Sequence, residues 1–277
     1  NDVSLLALQN AINGNLSAYG LKNSWIEQFE NSTYIENLTT CARDSSEYIS
    51  SVSAGGPAID AYDKLILHSD GGSSTSFTDS SPSGHVISAF GAVNHSTAKA
   101  KFGSTSILFD GTTDYLSLPS HADWVLGTGD FTVDFWYWQV DNGDRVIVGS
   151  TSTGSATPTA WRAKSAATLK FGSSHTDNFV GGVTLGQSAW RHCAYTRASN
   201  VLRVFVDGTQ DGSDTALTTN FSDQRELWIG NAHDGGDLHG YIDEMRISKG
   251  IARWTANFTP PTGAYGSTVV NATGSFE

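Results

Sequence analysis

From Lys64 onward, apolar and polar residues alternate with period two, the spacing that turns one face of a strand toward a core. This pattern predicts strands at 64–69, 84–93, 104–109, 114–118, 131–139, 144–150, 167–172, 179–184, 190–198, 201–207, 225–230 and 240–248. Turn signals separate them: Asp70-Gly-Gly, Pro82-Ser-Gly, Asp110-Gly, Asn142-Gly, Asp207-Gly and Asp234-Gly-Gly. Many short strands with regular turns predict antiparallel sheets in a sandwich or barrel. No long helical pattern interrupts them, which excludes a parallel α/β fold.

Segment 131–138 shows the layering. Phe131, Val133, Phe135 and Tyr137 form a uniformly apolar row for the core, and each large side chain buried there is worth about 2–3 kcal/mol. Thr132, Asp134, Trp136 and Trp138 point the other way, with Asp134 expected as a solvated acid. In the pair 190–214, Leu202, Val204 and Val206 face inward, and Asp207-Gly208 supplies the positive-φ turn of a two-residue hairpin. In 241–248 the apolar row is Tyr241, Met245 and Ile247, and Asp243 sits among them. A carboxylate in that row needs a partner, because burying it bare is costly. Arg246 and Glu244 read as a surface pair worth under ~1 kcal/mol.

Residues 1–60 follow different rules. Leu5, Leu8 and Ile12 keep helical spacing, and a second helical stretch is expected through Trp25, Ile26 and Phe29. Ser50 to Pro57 reads as a small-residue linker. So few apolar positions will not make an independent core, so 1–60 is read as a partly helical docking arm. Residues 61–265 form the β domain, and 266–277, which carry little patterning, read as an exit linker.

Composition narrows the class. The 277 residues carry 8 Trp, 9 Tyr, 13 Phe and 29 Gly, a mix that favours strands and tight turns. The formal charge of −12 repels phosphate backbones and anionic bilayers, which argues against nucleic-acid and membrane-surface binding. No apolar run reaches the ~18 residues of a membrane helix. Cys41 and Cys193 fall in different segments and are expected as separate thiols, in keeping with folding in a reducing cytoplasm. No Cys/His spacing suits zinc.

Several motifs follow in order: Leu65-Ile-Leu-His-Ser-Asp, Lys101-Phe-Gly-Ser-Thr-Ser-Ile-Leu-Phe-Asp-Gly, Asp114-Tyr-Leu-Ser-Leu-Pro, Gly129-Asp-Phe-Thr-Val-Asp-Phe-Trp, Val204-Phe-Val-Asp-Gly and Tyr241-Ile-Asp-Glu-Met-Arg-Ile-Ser. Over about residues 62–263 this order resembles the laminin-G-like, concanavalin A-like domains. The resemblance implies a mainly β, two-sheet antiparallel jelly roll sandwich. The ending Ser248-Lys-Gly-Ile-Ala-Arg-Trp-Thr-Ala-Asn-Phe-Thr-Pro-Pro, with the segment from Ala7 to Glu30, is similar to variants in tailed-bacteriophage structural proteins. That implies a virion-surface protein (capsid decoration, fibre or tail appendage) made in the host cytoplasm, with other virion subunits as partners of the arm and an oligomeric state. A host-surface glycan is the further candidate partner.

Three chemistries are open to a domain of this kind. Glycosidases on such sandwiches use two carboxylates flanking the bond, yet the β domain has two glutamates only, Glu226 and Glu244. Asp130 and Asp134 read as a loop acid and a strand acid, so no enzyme activity is expected. For metal, the resemblance implies that the strands ending at Asp70 and carrying Asp243 are neighbours, so these two acids are the candidate calcium ligands, with hydrogen bonding of Asp243 as the alternative. For carbohydrate, Trp136, Trp138, Asp234 and Asp237 are the candidates, against packing and ordinary turn chemistry.

Overall fold

A computed structural model describes residues 47–54, 56–72, 74–151, 160–173, 176–187, 189–232, 235–266 and 268–275. The helical readings over 1–30 and Cys41 lie outside the described residues. The chain divides into two compact units, 58–265 and a second one formed by 1–57 with 266–277.

In the second unit β1 (Glu47–Ala54) pairs antiparallel with β18 (Thr268–Ser275). The stretches read as a small-residue linker and an unpatterned exit therefore meet as a ladder. The backbone hydrogen bonds of an antiparallel ladder form whatever the side-chain pattern, so apolar alternation is not a condition for this pairing.

The larger unit is a two-sheet antiparallel sandwich, one of the two architectures the alternation predicts and the one the laminin-G-like resemblance implies. Its strands are β2 (Asp63–Leu67), β3 (Ser88–Phe90), β4 (Asn94–Ser96), β5 (Ser106–Asp110), β6 (Tyr115–Leu118), β7 (Phe131–Gln139), β8 (Arg145–Thr151), β9 (Trp161–Ser165), β10 (Leu169–Ser173), β11 (Asp177–Val180), β12 (Trp190–Ala198), β13 (Val201–Val206), β14 (Thr209–Gln210), β15 (Thr215–Ala216), β16 (Glu226–Ile229) and β17 (His239–Lys249). One sheet runs β11-β10-β9-β8-β16-β6-β3; the other runs β14-β13-β12-β7-β17-β5-β4, with β2 on β17 and β15 on β13. Strand β9 escapes the sequence pattern because two of its inward residues, Ala163 and Ser165, are too small to give hydrophobic contrast.

The core lies between the sheets. Phe131, Val133, Phe135 and Tyr137 of β7 face Trp161, Ala163, Leu169 and Phe171, all fully buried or nearly so. Phe171 sits among Phe131, Trp161, Tyr195 and Phe221, with ring centroids 5.4 to 6.3 Å away. The two fully buried tryptophans keep their N–H groups paired, Trp161 Nε1 to Trp124 O and Trp124 Nε1 to Pro119 O. Asp207 and Gly208 have φ of 50° and 75°, the hairpin turn expected there.

Two readings of side-chain direction need correction. On β17, Asp243 stands opposite Trp136 and Arg246 opposite Asp134, so Glu244 and Met245 together face one residue of β7. This is a β-bulge, with Glu244 at φ 49°. The bulge switches phase: Ile242 lies in the core before it, Met245 and Ile247 after it, and Tyr241 does not. Asp243 is thus on the face turned away from the core, although fully buried.

The second correction concerns Asp134 and Arg246. They are not solvated: each is at most 1% exposed, and Arg246 donates Nε and Nη2 to Asp134 at 2.9 and 3.2 Å. Tyr265 Oη also donates to Asp134. Glu244 pairs with His68 instead, 3.0 Å away. The cause is the segment 250–265, which crosses the outer face of this sheet. Thr132 Oγ1 donates to Ile251 O and Thr196 Oγ1 to Trp254 O, while Trp254 and Phe258 stack at 4.0 Å. Burial raises the Asp134 carboxyl, but the Arg246 charge and His192 bring it down to about 2.

The motif ending in Arg253-Trp254 works as a clamp between the two ends of the sandwich. Arg253 donates to Asp60, Asp63 and Ser248, and Ser248 Oγ donates to Asp63 at 2.7 Å.

Candidate functional site

The bulge on β17 brings Asp243 under the loop that precedes β5. Asp243 Oδ2 accepts from Lys101 N (2.8 Å) and Phe102 N (3.1 Å), and Oδ1 is buried with no partner. Asp70 accepts from Ser104 N at 2.9 Å on the same loop. Gly103 makes room for this: a Cβ there would lie 2.1 Å from Asp70 Oδ1. One short loop thus joins the two acids predicted as ligands. Burial, then Glu244 and Asp70, push the Asp243 carboxyl up to about 7 despite the two amide donors.

Calcium takes about six to eight oxygens. The hydrogen-bond partners here are N–H groups, and the Lys101 ammonium contributes positive charge toward Asp243. Asp243 Oδ1 is the one buried oxygen left open on the pair. Among the described residues, Asp70 and Asp243 belong to no group of three His, Cys, Asp or Glu ligand atoms within 4.8 Å of one another. This donor set does not fit a calcium cage, and a proton on Oδ1 is the smaller complement to the same charge.

Of the carbohydrate candidates, Trp136 is 6% exposed and lies beneath that loop, with Lys101 Nζ 3.8 Å from its ring centroid and Phe102 edge-on at 5.8 Å. Trp138 is half-buried, with Lys99 Nζ 4.4 Å over its ring and Trp190 edge-on at 6.0 Å. Asp234 lies outside the described residues. Asp237 is on the loop after β16, where Oδ1 accepts from Thr113 N (3.2 Å) and Asn231 Nδ2 (2.5 Å).

The same loop cluster borders an aromatic row that sequence reasoning missed. On the outer face of the other sheet, Phe90 of β3 stacks on Tyr115 of β6 at 4.6 Å and 6°, and Tyr115 stacks on Trp228 of β16 at 4.4 Å and 23°. The register explains the row. Phe90 stands directly opposite Tyr115, and Trp228 opposite Ser117, so three neighbouring strands place three rings side by side. Exposure rises toward the sheet edge, where Phe90 is 43% exposed. Glu226 Oε2 accepts from Trp228 Nε1 at 2.7 Å and fixes the indole.

Asp114 sets the geometry of this end. It is buried and accepts from Ala92 N (2.5 Å) and Asp110 N (3.0 Å), tying the exit of β3 to the entry of β6. Burial raises its carboxyl above the ordinary range. Gly91, at φ 77°, is required beside it, since a Cβ would lie 2.4 Å from Asp114 Oδ1. The signal available in sequence was alternation around Tyr115 and Trp228; what it lacked was the strand order that makes them neighbours.

The family model described as Concanavalin A-like lectin/glucanases superfamily, a laminin-G type, matches residues 110–253, more than half of the chain. The chain belongs to that family. No curated protein matches the sequence. Among solved structures, the binding domain of Paraclostridial Mosquitocidal Protein 1 is similar at 13% identity and TM-score 0.51, covering 69% of this chain and 49% of that one. Domain 4 of AbnA, a GH43 extracellular arabinanase from Geobacillus stearothermophilus in complex with arabinotriose, is similar at 15% identity and TM-score 0.49, covering 69% and 93%. The binding domain of Botulinum Neurotoxin DC in complex with SialylT is similar at 12% identity and TM-score 0.48, covering 69% and 48%. The chain therefore spans about half the length of the toxin binding domains.

Proposed function

We propose that the sandwich is a non-catalytic adhesion module that recognises neutral glycans at Phe90, Tyr115 and Trp228, with Asn231 and Asp237 beside them. The observation that carries this reading is the stacked aromatic row beside Thr113, Asn231 and Asp237. The inner ring faces stack on one another, so the row offers its outward ring edges and the 43% exposed Phe90 to the apolar face of a sugar, while amide, hydroxyl and carboxylate groups receive its hydroxyls, the usual composition of small-ligand sites. The net charge of −12 and the acids Asp110 and Asp237 beside the row disfavour sialylated, sulfated or phosphorylated saccharides.

The non-catalytic part rests on how the acids are used. Glu226 and Glu244, the two glutamates of the sandwich, accept from Trp228 and from His68 and Tyr265 N. Asp134 is sealed under Arg246 and Tyr265. These carboxylates are thus engaged by fixed donors, and Asp134 by a buried ion pair, rather than held free as the acid and nucleophile that glycosidases use.

The setting we propose is a virion surface, supported by the resemblance of 7–30 and 248–261 to phage structural proteins. There the 1–60 arm engages neighbouring subunits and the sandwich faces outward. Particles assembled with a chain lacking residues 1–60 should lack the protein; retained incorporation would refute the docking role. Glycan arrays of neutral and acidic saccharides test the binding role, with neutral hits expected. Release of reducing sugar from any polysaccharide in a panel would overturn the non-catalytic reading.

A further inference from the structure

We propose that His85, His121 and Asp123 form a binding site for a divalent transition-metal ion, zinc in particular. The three residues come from two parts of the chain. His85 closes the loop 79–85 before β3, and His121 caps the short 3-10 helix Ala122–Trp124 that contains Asp123. Their ligand atoms all lie within 4.8 Å of one another. His85 Nε2 is 2.9 Å and His121 Nδ1 3.2 Å from Asp123 Oδ2.

Zinc at ordinary bond lengths holds tetrahedral ligand atoms about 3.3 Å apart. The two imidazole–carboxylate separations are within a few tenths of an ångström of that value, so an ion would enter with small side-chain shifts. Two imidazoles and one carboxylate suit zinc and leave a fourth position for water. The site has an open side, since the His121 side chain is 51% exposed while His85 and Asp123 are 11% and 17% exposed.

The shell around the ligands is built. His85 packs on the Trp124 ring at 4.6 Å, and its backbone N–H donates to Asp79. Ser83 Oγ donates to Asp123 Oδ2 at 3.0 Å. Two features hold the affinity down. His121 Nδ1 accepts from Asp123 N at 3.2 Å, and that cap must be released. Lys249 Nζ, which donates to Ala122 O at 2.7 Å, places a positive charge nearby.

The sequence hid this site because His85 and His121 lie 36 positions apart, outside any zinc spacing. In the fold they meet at the Ser88/Ser117 end of the β3–β6 ladder, while Phe90 and Tyr115 pair at its other end. A bound ion would pin the edge strand that carries Phe90, without being needed for the glycan reading.

Tag-free full-length chain titrated with Zn²⁺ by calorimetry should bind one ion per chain saturably and melt at a higher temperature. Co²⁺ should give the visible absorption of a four-coordinate site, and Ca²⁺ should not compete. His121→Gln, at the half-exposed ligand, and Asp123→Asn should each weaken zinc at least about tenfold. His239→Gln, a histidine paired with Asp141 elsewhere, should leave it unchanged. Absence of saturable binding, or affinity unchanged in both His121→Gln and Asp123→Asn, would overturn the proposal.

Discussion

Replacing Asp243 by Asn should stabilise the sandwich at neutral and alkaline pH. In the folded chain burial, with Glu244 and Asp70, lifts this carboxyl from 3.8 to about 7. The folded state therefore holds the proton more tightly than the unfolded chain. Below about pH 4 the group is protonated in both states and contributes no difference. Between about pH 4 and pH 7 the unfolded chain has lost this proton while the folded chain keeps it, so stability falls across that window and levels off above about 7, where the group is ionised in both states. At about 1.4 kcal/mol per pH unit the loss is on the order of 4 kcal/mol. An asparagine keeps an oxygen for Lys101 N and Phe102 N and cannot ionise.

Urea unfolding followed by tryptophan fluorescence, from pH 4 to pH 8.5 in chelator, gives the wild-type minus variant difference. His68 has the same sign, because Glu244 raises it and its contribution is lost as pH rises. Asp243 is itself among the charges that raise His68, so the difference reports Asp243 together with this smaller coupling of the same sign. We expect near equality at pH 4 and a variant more stable by several kcal/mol at pH 8. A difference independent of pH, or one that favours the wild type increasingly as pH rises, would refute the account of this carboxylate.

Repeating that titration in millimolar calcium separates proton from metal. The donor set predicts no change, whereas an ion shared by Asp70 and Asp243 would raise the wild-type melting temperature and reverse the sign of the variant's effect. Asp134→Asn should destabilise by about 3–5 kcal/mol at pH 7, because it leaves Arg246 buried and unpaired; a loss under 1 kcal/mol in chemical denaturation would show that the ion pair is solvated. Gly208→Ala should lower stability by more than about 1 kcal/mol, since φ is 75° and the new Cβ would lie 1.9 Å from Phe258 O. Unchanged urea midpoints would contradict that packing of the 250–265 segment.

Much of the sandwich was legible because its inner rows are large and strictly alternate, as in β7 and β13. The outer rows were not. Whether Asp134 meets water depends on a segment more than a hundred residues later folding back over the sheet, and whether Trp136 does depends on the earlier loop at Lys101 and Phe102; alternation carries no information about either. The β17 bulge was equally hidden, since one inserted residue reverses every later side chain without altering composition. The candidate site shows the same limit. Asp70 and Asp243 do converge on one loop, but Phe90, Tyr115 and Trp228 become a site only through the strand order β3-β6-β16. The histidines at 85 and 121 likewise need the tertiary fold to meet.

The binding claim is tested most directly by neutral-glycan affinity measured side by side for the full chain and for Phe90→Ala/Tyr115→Ala. These residues are outward-facing, so the variant should keep a cooperative melt. The account predicts that it loses at least about tenfold in affinity, or roughly 1.4 kcal/mol, for every saccharide the wild type binds. A folded variant that binds the same glycans equally well, or a wild type that binds none, would contradict it.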